Sequence, residues 1–123
     1  MTILRQILKS KIHAAVIKKK KLHYNGSIGI DKAVLLKADM IPGEKVQVLN
    51  FDNGQRFETY IIEEKANSGV IALYGPAARC GEIGDKICII FYVSVTEDEI
   101  SKLTQRVVLV NEENKIVEKG SKA

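Results

Sequence analysis

Ile41-Pro42-Gly43-Glu44-Lys45-Val46-Gln47-Val48 is echoed further along the chain by Glu82-Ile83-Gly84-Asp85-Lys86-Ile87-Cys88-Ile89. Each stretch offers a glycine, an acidic residue and a lysine, then alternates apolar and polar residues with the period of two that a half-buried strand requires. Two similar turn-plus-strand units in one short chain are what a pseudo-symmetric barrel needs. Outward from this pair, further runs predict strands over 12–17, 22–30, 46–51, 56–63, 70–74, 86–95 and 107–110. Asp31 can cap a helix over 32–38, and Thr96 one over 97–103, whose acidic first turn suits the helix dipole. Asp52-Asn53-Gly54 has hairpin-turn chemistry, so the strands on either side of it pair antiparallel. Residues 112–123 are charged, with Ile116 and Val117 their main apolar side chains, and read as an edge hairpin or tail.

A length of 123 residues with 46% apolar side chains fits one domain of mainly β class, a small barrel with short helices. So short a chain has a limited interior, and a site that must exclude water gains from walls lent by a second copy. The net charge is +4, and its most visible source is Lys18-Lys19-Lys20-Lys21, which reads as a solvated loop. No aromatic residues interleave that run as a single-strand binder needs, so a nucleic-acid partner is not expected. Cys80 and Cys88 form no Cys-x-x-Cys pair and lie far in sequence from His13 and His23, which predicts reduced thiols and no metal site. Met1-Thr2-Ile3-Leu4-Arg5 lacks a long apolar stretch and no run reaches membrane-spanning length, so the expectation is a soluble cytoplasmic protein with no membrane partner.

His23-Tyr24-Asn25-Gly26-Ser27-Ile28-Gly29-Ile30-Asp31 carries the chemistry. A serine hydroxyl can attack the carbonyl carbon just before it, turning the amide into an ester. Elimination then breaks the chain and leaves a pyruvoyl ketone on the new N-terminus. Glycine before the break tolerates backbone conformations closed to other residues, and attack on a planar amide needs local distortion. Alone, Asn-Gly-Ser reads as an ordinary turn.

Three other segments change that reading: Lys11-Ile12-His13, Asn53-Gly54-Gln55-Arg56-Phe57-Glu58-Thr59-Tyr60, and Tyr74-Gly75-Pro76-Ala77-Ala78. Together with Tyr24-Asn25-Gly26-Ser27, and over about residues 4–96, they resemble the bacterial aspartate 1-decarboxylase family, pyruvoyl enzymes that make β-alanine for pantothenate. The resemblance implies a six-stranded double-psi β-barrel, self-cleaved into 1–26 and 27–123. It also implies a carboxy-lyase that holds L-aspartate as a Schiff base on a pyruvoyl group made from Ser27, with neither metal nor pyridoxal phosphate. The family further implies a homotetramer with sites at subunit interfaces.

The resemblance assigns roles position by position. Tyr60 becomes the proton donor, and Thr59 acts with Gly26 and Ser27 in processing. Arg56 suits the retained side-chain carboxylate through two parallel hydrogen bonds, because a cation gripping the departing carboxylate would stabilise the ground state. Lys11 lines the site, with His13 and Tyr24 as candidate pocket walls. Gly75, Pro76 and Ala77 bring backbone close to the reacting group, Ala77 being the better N–H donor because proline has none. On strand alternation Arg56 and Tyr60 share a face and Thr59 takes the other, so either a bulge intervenes or Thr59 reaches Ser27 from another side. Tyr74 stands where the family commonly has Asn, which puts that asparagine's contacts in doubt. A small basic nucleic-acid-binding barrel and an unprocessed, inactive relative are the alternatives; neither needs Lys11, Gly26, Ser27, Arg56, Thr59 and Tyr60 together.

Overall fold

Residues 1–117 are described by a computed structural model of the chain. Eight strands, β1 (Arg5–Val16), β2 (Lys19–Lys21), β3 (Ser27–Asp31), β4 (Lys45–Asn50), β5 (Arg56–Glu64), β6 (Ile71–Tyr74), β7 (Lys86–Val95) and β8 (Arg106–Leu109), form one mixed sheet. Their order is β2-β6-β3-β5-β4-β7-β1-β8. Two short helices, α1 (Lys32–Ala38) and α2 (Glu97–Ile100), and a 3-10 helix over Gly75–Cys80 connect them. The fold is thus mainly β with short helices, carrying eight strands against the six expected of the barrel.

The two ends of this order are not paired with each other among the described residues. The link after β1 is tied to two other parts of the sheet: Ile17 donates its N–H to the carbonyl of Asp85, just before β7, at 3.0 Å and Lys18 donates to Ile71 of β6 at 2.8 Å. Buried Asn114 fastens the same place: its side chain accepts from the Val16 N–H and donates to the Val16 and Gly69 carbonyls, each at 2.8 Å. One apolar core results, filled by the inward residues Ile12, Ile28, Ile30, Val46, Val48, Ile61, Ile71, Leu73, Ile87, Ile89 and Val108 with Val34 and Leu35 of α1. Their alternation along each strand is what places them there.

The internal repeat is structural. Gly43 and Gly84 both take left-handed φ values, +90° and +97°. In each turn the acidic side chain accepts from a backbone N–H three residues earlier, Glu44 from Ile41 at 2.7 Å and Asp85 from Glu82 at 2.9 Å. The strands that follow, β4 and β7, pair antiparallel with Val48 opposite Ile89. Each is preceded by a strand and a short helix, β3 with α1 and β6 with the 3-10 helix, so the repeat extends over half the fold.

Four expectations need correction. β1 starts at Arg5 rather than Ile12, because a register shift between Leu8 and Ser10 disrupts the alternation of its first half; a second shift lies between Ile12 and Ala15. The strand expected over 22–30 is broken, with β2 ending at Lys21 and β3 starting at Ser27 around a bend. The Lys18–Lys21 run is not simply a solvated loop: β2 pairs parallel with β6, and Lys20 is half-buried with its Nζ 3.0 Å from both the Gly81 carbonyl and Glu82. The helix after Thr96 stops at Ile100, though its capping box with Glu99 is formed. At the C-terminal end Val110 bridges antiparallel to Ile116. The remainder of the expected hairpin or tail, 118–123, lies outside the described residues.

Candidate active site

Ser27 opens β3 and is buried at 1% exposure, held between two strands. It lies opposite Tyr74 of antiparallel β6, while Ile28 lies opposite Ile61 of parallel β5, which sets Ser27 beside Tyr60 one register step earlier. Gly75 has φ +69°, and its backbone packs directly on the segment before Ser27. A Cβ there would stand 2.7 Å from both the Gly26 Cα and the Tyr24 carbonyl oxygen and 2.8 Å from the Gly26 nitrogen. A Cβ on Gly26 would reach the Pro76 ring at 3.4 Å. Glycine at 75 therefore serves close backbone approach as well as a left-handed turn.

Gly26, Thr59, Tyr60, Pro76 and Ala77 line one open cleft of about 360 Å³, with Phe57, Glu58 and Cys80. The unbroken pairing of β5 with β4, Leu49 opposite Arg56 through Lys45 opposite Tyr60, contains no bulge at Thr59. Thr59 and Phe57 are half-buried and Tyr60 is exposed, so the strand alternates regularly, with Thr59 on the inner face and in the lining of the same cleft as Gly26. Of the two ways open to Thr59, the bulge is not taken.

Arg56, Lys11 and His13 do not line that cleft. Arg56 is exposed opposite Leu49, and Leu49 is opposite Cys88 on β7. Lys11 lies opposite Ile90 and the His13 ring sits 5.5 Å from the Phe51 ring. These three positions thus share the outer face of β5-β4-β7-β1, outside the cleft lined by Gly26. Burial pushes the Cys88 thiol up to about 11, opposed by the nearby Lys11 charge. Around the Ser27 segment, the Tyr24 and Tyr74 rings pack at a 45° tilt with centroids 4.9 Å apart, and the ammonium groups of Lys19 and Lys21 lie over Tyr74 and Tyr24 at 5.7 and 5.0 Å. The Tyr74 phenol donates to Glu64 at 2.7 Å; burial, then this hydrogen bond and the carboxylate charge, raise its pKa well above the usual phenol value.

The family model described as aspartate decarboxylase matches residues 3–117, the whole length over which this geometry is built. The chain belongs to that family. Among its relatives, the aspartate 1-decarboxylase of Clostridium acetobutylicum is 48% identical over 110 residues, covering 89% of this chain and 87% of the relative. Those of Caldicellulosiruptor bescii and Thermoanaerobacter pseudethanolicus are 46% and 47% identical, covering 95% and 92% of this chain and 91% and 97% of their own lengths. Among the described residues, no group of three or more His, Cys, Asp or Glu is placed to hold a metal ion, and no helix is long and apolar enough to cross a membrane.

Within this family member, Glu64 and Gly29 are residues that sequence reasoning passed over. Glu64 reaches Tyr74 across Gly29, where a Cβ would meet the Glu64 carboxylate and stand 2.8 Å from its Cδ. A glycine inside a strand marks close approach of another group, and Gly29 carried that signal. Asp31, expected as a helix cap, does more: its carboxylate accepts from Ala33, Asn67 and Gly69 N–H groups at 2.8, 2.9 and 2.8 Å, fixing the far end of β3.

Proposed function

We propose that this chain is a self-processing aspartate 1-decarboxylase that converts L-aspartate to β-alanine and carbon dioxide for pantothenate synthesis in the cytoplasm. The observation that carries the reading is the buried Ser27 following a Gly26 packed against Gly75, with Thr59 and Tyr60 on the same cleft. Ser27 Oγ attacks the Gly26 carbonyl carbon and the acyl group moves from nitrogen to oxygen. Elimination frees 1–26 with a C-terminal carboxylate, and water then replaces the nitrogen, released as ammonia, to leave the ketone on 27–123. The Thr59 hydroxyl, from the inner side of β5, donates to the Gly26 carbonyl oxygen as it gains charge.

The residues around Ser27 fit a pyruvoyl group, since Gly75 and Ala77 leave its flank small. Such a ketone supplies the electron sink that decarboxylation of an amino acid needs. Tyr60 delivers a proton to the carbon that lost carbon dioxide. Arg56 holds the retained carboxylate and Lys11 adds positive charge for a dicarboxylate. Because Arg56, Lys11 and His13 lie off the cleft lined by Gly26, Thr59 and Tyr60, a neighbouring copy brings them to it, in a homotetramer with sites between subunits. Exposed Phe51 and Tyr92, at 56% and 42%, give that face an apolar contact surface.

Intact mass spectrometry of the purified chain tests the proposal: two species are expected, 1–26 and a pyruvoyl-started 27–123. Ser27→Ala should leave one uncut chain without activity. A chain that stays whole through prolonged incubation yet makes β-alanine would refute it.

A further inference from the structure

We infer that Tyr74, pinned by Glu64 across Gly29, is a positioning residue for self-cleavage: it braces Tyr24 and hence the Gly26–Ser27 bond. The inference rests on the proposed processing reaction. Its geometry is a chain of contacts that crosses three strands. Glu64 on β5, next to Asp31 on β3 in register, extends over β3 at Gly29 and accepts from the Tyr74 hydroxyl at 2.7 Å. Tyr74 on β6 is opposite Ser27, is only 5% exposed, and carries the Tyr24 ring at 4.9 Å. Tyr24 and Gly26 are also the groups on which the Gly75 backbone rests.

The peptide to be attacked is therefore held from two sides, by the Gly75 backbone and by a ring that cannot swing while its hydroxyl is bound. Gly29 permits this brace. Any side chain there would occupy the place of the Glu64 carboxylate, whose Cδ and Cγ lie 2.8 and 2.9 Å from the position of a Cβ. An attack that forms an ester from an amide depends on alignment of the hydroxyl with the carbonyl carbon, and displacement of about 1 Å can cost on the order of a hundredfold in rate. The brace supplies alignment without touching the reacting atoms.

The test follows cleavage of freshly purified full-length chain by timed intact mass spectrometry. Tyr74→Phe should cleave roughly tenfold more slowly, a partial loss of that alignment. Gly29→Ala should do the same with Tyr74 and Glu64 both present, since its methyl displaces only the flexible end of Glu64. The two changes together should be no slower than either alone, because both break one hydrogen bond. Glu64→Gln keeps an acceptor for the phenol and should cleave near the parent rate, whereas Glu64→Ala should not. Parent-like rates in Tyr74→Phe and Gly29→Ala, or slowing that multiplies in the double variant, would overturn the inference. A second arm is independent of cleavage. In the Ser27→Ala background, Gly29→Ala should speed amide hydrogen exchange at residues 24–26, and unchanged exchange there removes the brace. If the unmodified chain does not cleave, the processing reading fails, while the exchange result still decides the brace.

Discussion

Gly75→Ala should damage both stability and processing, and the two costs are separable. At φ +69° an L side chain pays about 1–2 kcal/mol for the left-handed conformation. The added methyl also meets three backbone atoms of Tyr24 and Gly26 at 2.7–2.8 Å, and forcing such an overlap apart costs about 1–3 kcal/mol. The total is about 2–5 kcal/mol, or a fall in Tm of roughly 6–20 °C for a domain of this size. Because the obstructing atoms are backbone, Gly26 has to move, and cleavage should slow by about a hundredfold or more. Thermal unfolding is best measured in the Ser27→Ala background, where parent and variant are both uncut, and cleavage by intact mass with Ser27 restored. Gly43→Ala is the control: its φ is +90° but nothing lies within 4 Å of a Cβ, so it should lose only about 1–2 kcal/mol and process normally. Gly75→Ala that melts like Gly43→Ala and cleaves at the parent rate would refute the reasoning.

Tyr60→Phe should cleave normally yet turn over aspartate at least about a hundredfold more slowly, read as β-alanine formed per cleaved chain. Thr59→Ala should instead slow cleavage itself, and processing at the parent rate would remove Thr59 from the Gly26 carbonyl. Arg56→Lys keeps the charge but loses the planar two-pronged contact, so aspartate turnover in the mature protein should fall well below what a conserved charge suggests; near-normal turnover would count against its role. The Cys88 thiol, with pKa about 11 in the fold against 9.0 ordinarily, stays protonated at neutral pH. The stabilisation linked to that shift is fully present below pH 9 and is lost as pH rises through 11, so Cys88 should resist alkylation at pH 8 and become reactive only in strong alkali.

Legibility followed periodicity. β4 and β5 could be read because they alternate between well-marked turns, β7 because it is a long apolar run rich in β-formers, and the Gly43 and Gly84 turns repeat the same side-chain hydrogen bond. β1 was only half legible: a bulge adds a residue without changing composition, and the register shift between Leu8 and Ser10 breaks the alternation of its first seven residues. β2 was missed because four consecutive lysines carry no strand pattern, and only the tertiary partners Gly81 and Glu82 explain Lys20. Gly26, Ser27, Thr59 and Tyr60 stood out through the family resemblance, and the fold brings Gly26, Thr59 and Tyr60 to one cleft. Glu64 was invisible, since nothing local connects a strand-end glutamate to a tyrosine ten positions on.

The path of β1 has a consequence for what the protein would become after the proposed cleavage. β1 belongs to the piece before the cut, yet it lies between β7 and β8, and both polar groups of the Val16 backbone are bound by Asn114 from the piece after it. The proposed cut at Gly26 would leave β1 held only by non-covalent contacts and so would change the order of the folding reaction. The uncut chain folds unimolecularly; the cut protein, once opened, has to find its small fragment again at a rate set by concentration. Dilution then makes unfolding a one-way event, so the lifetime of the mature protein is governed by how seldom β1 lets go.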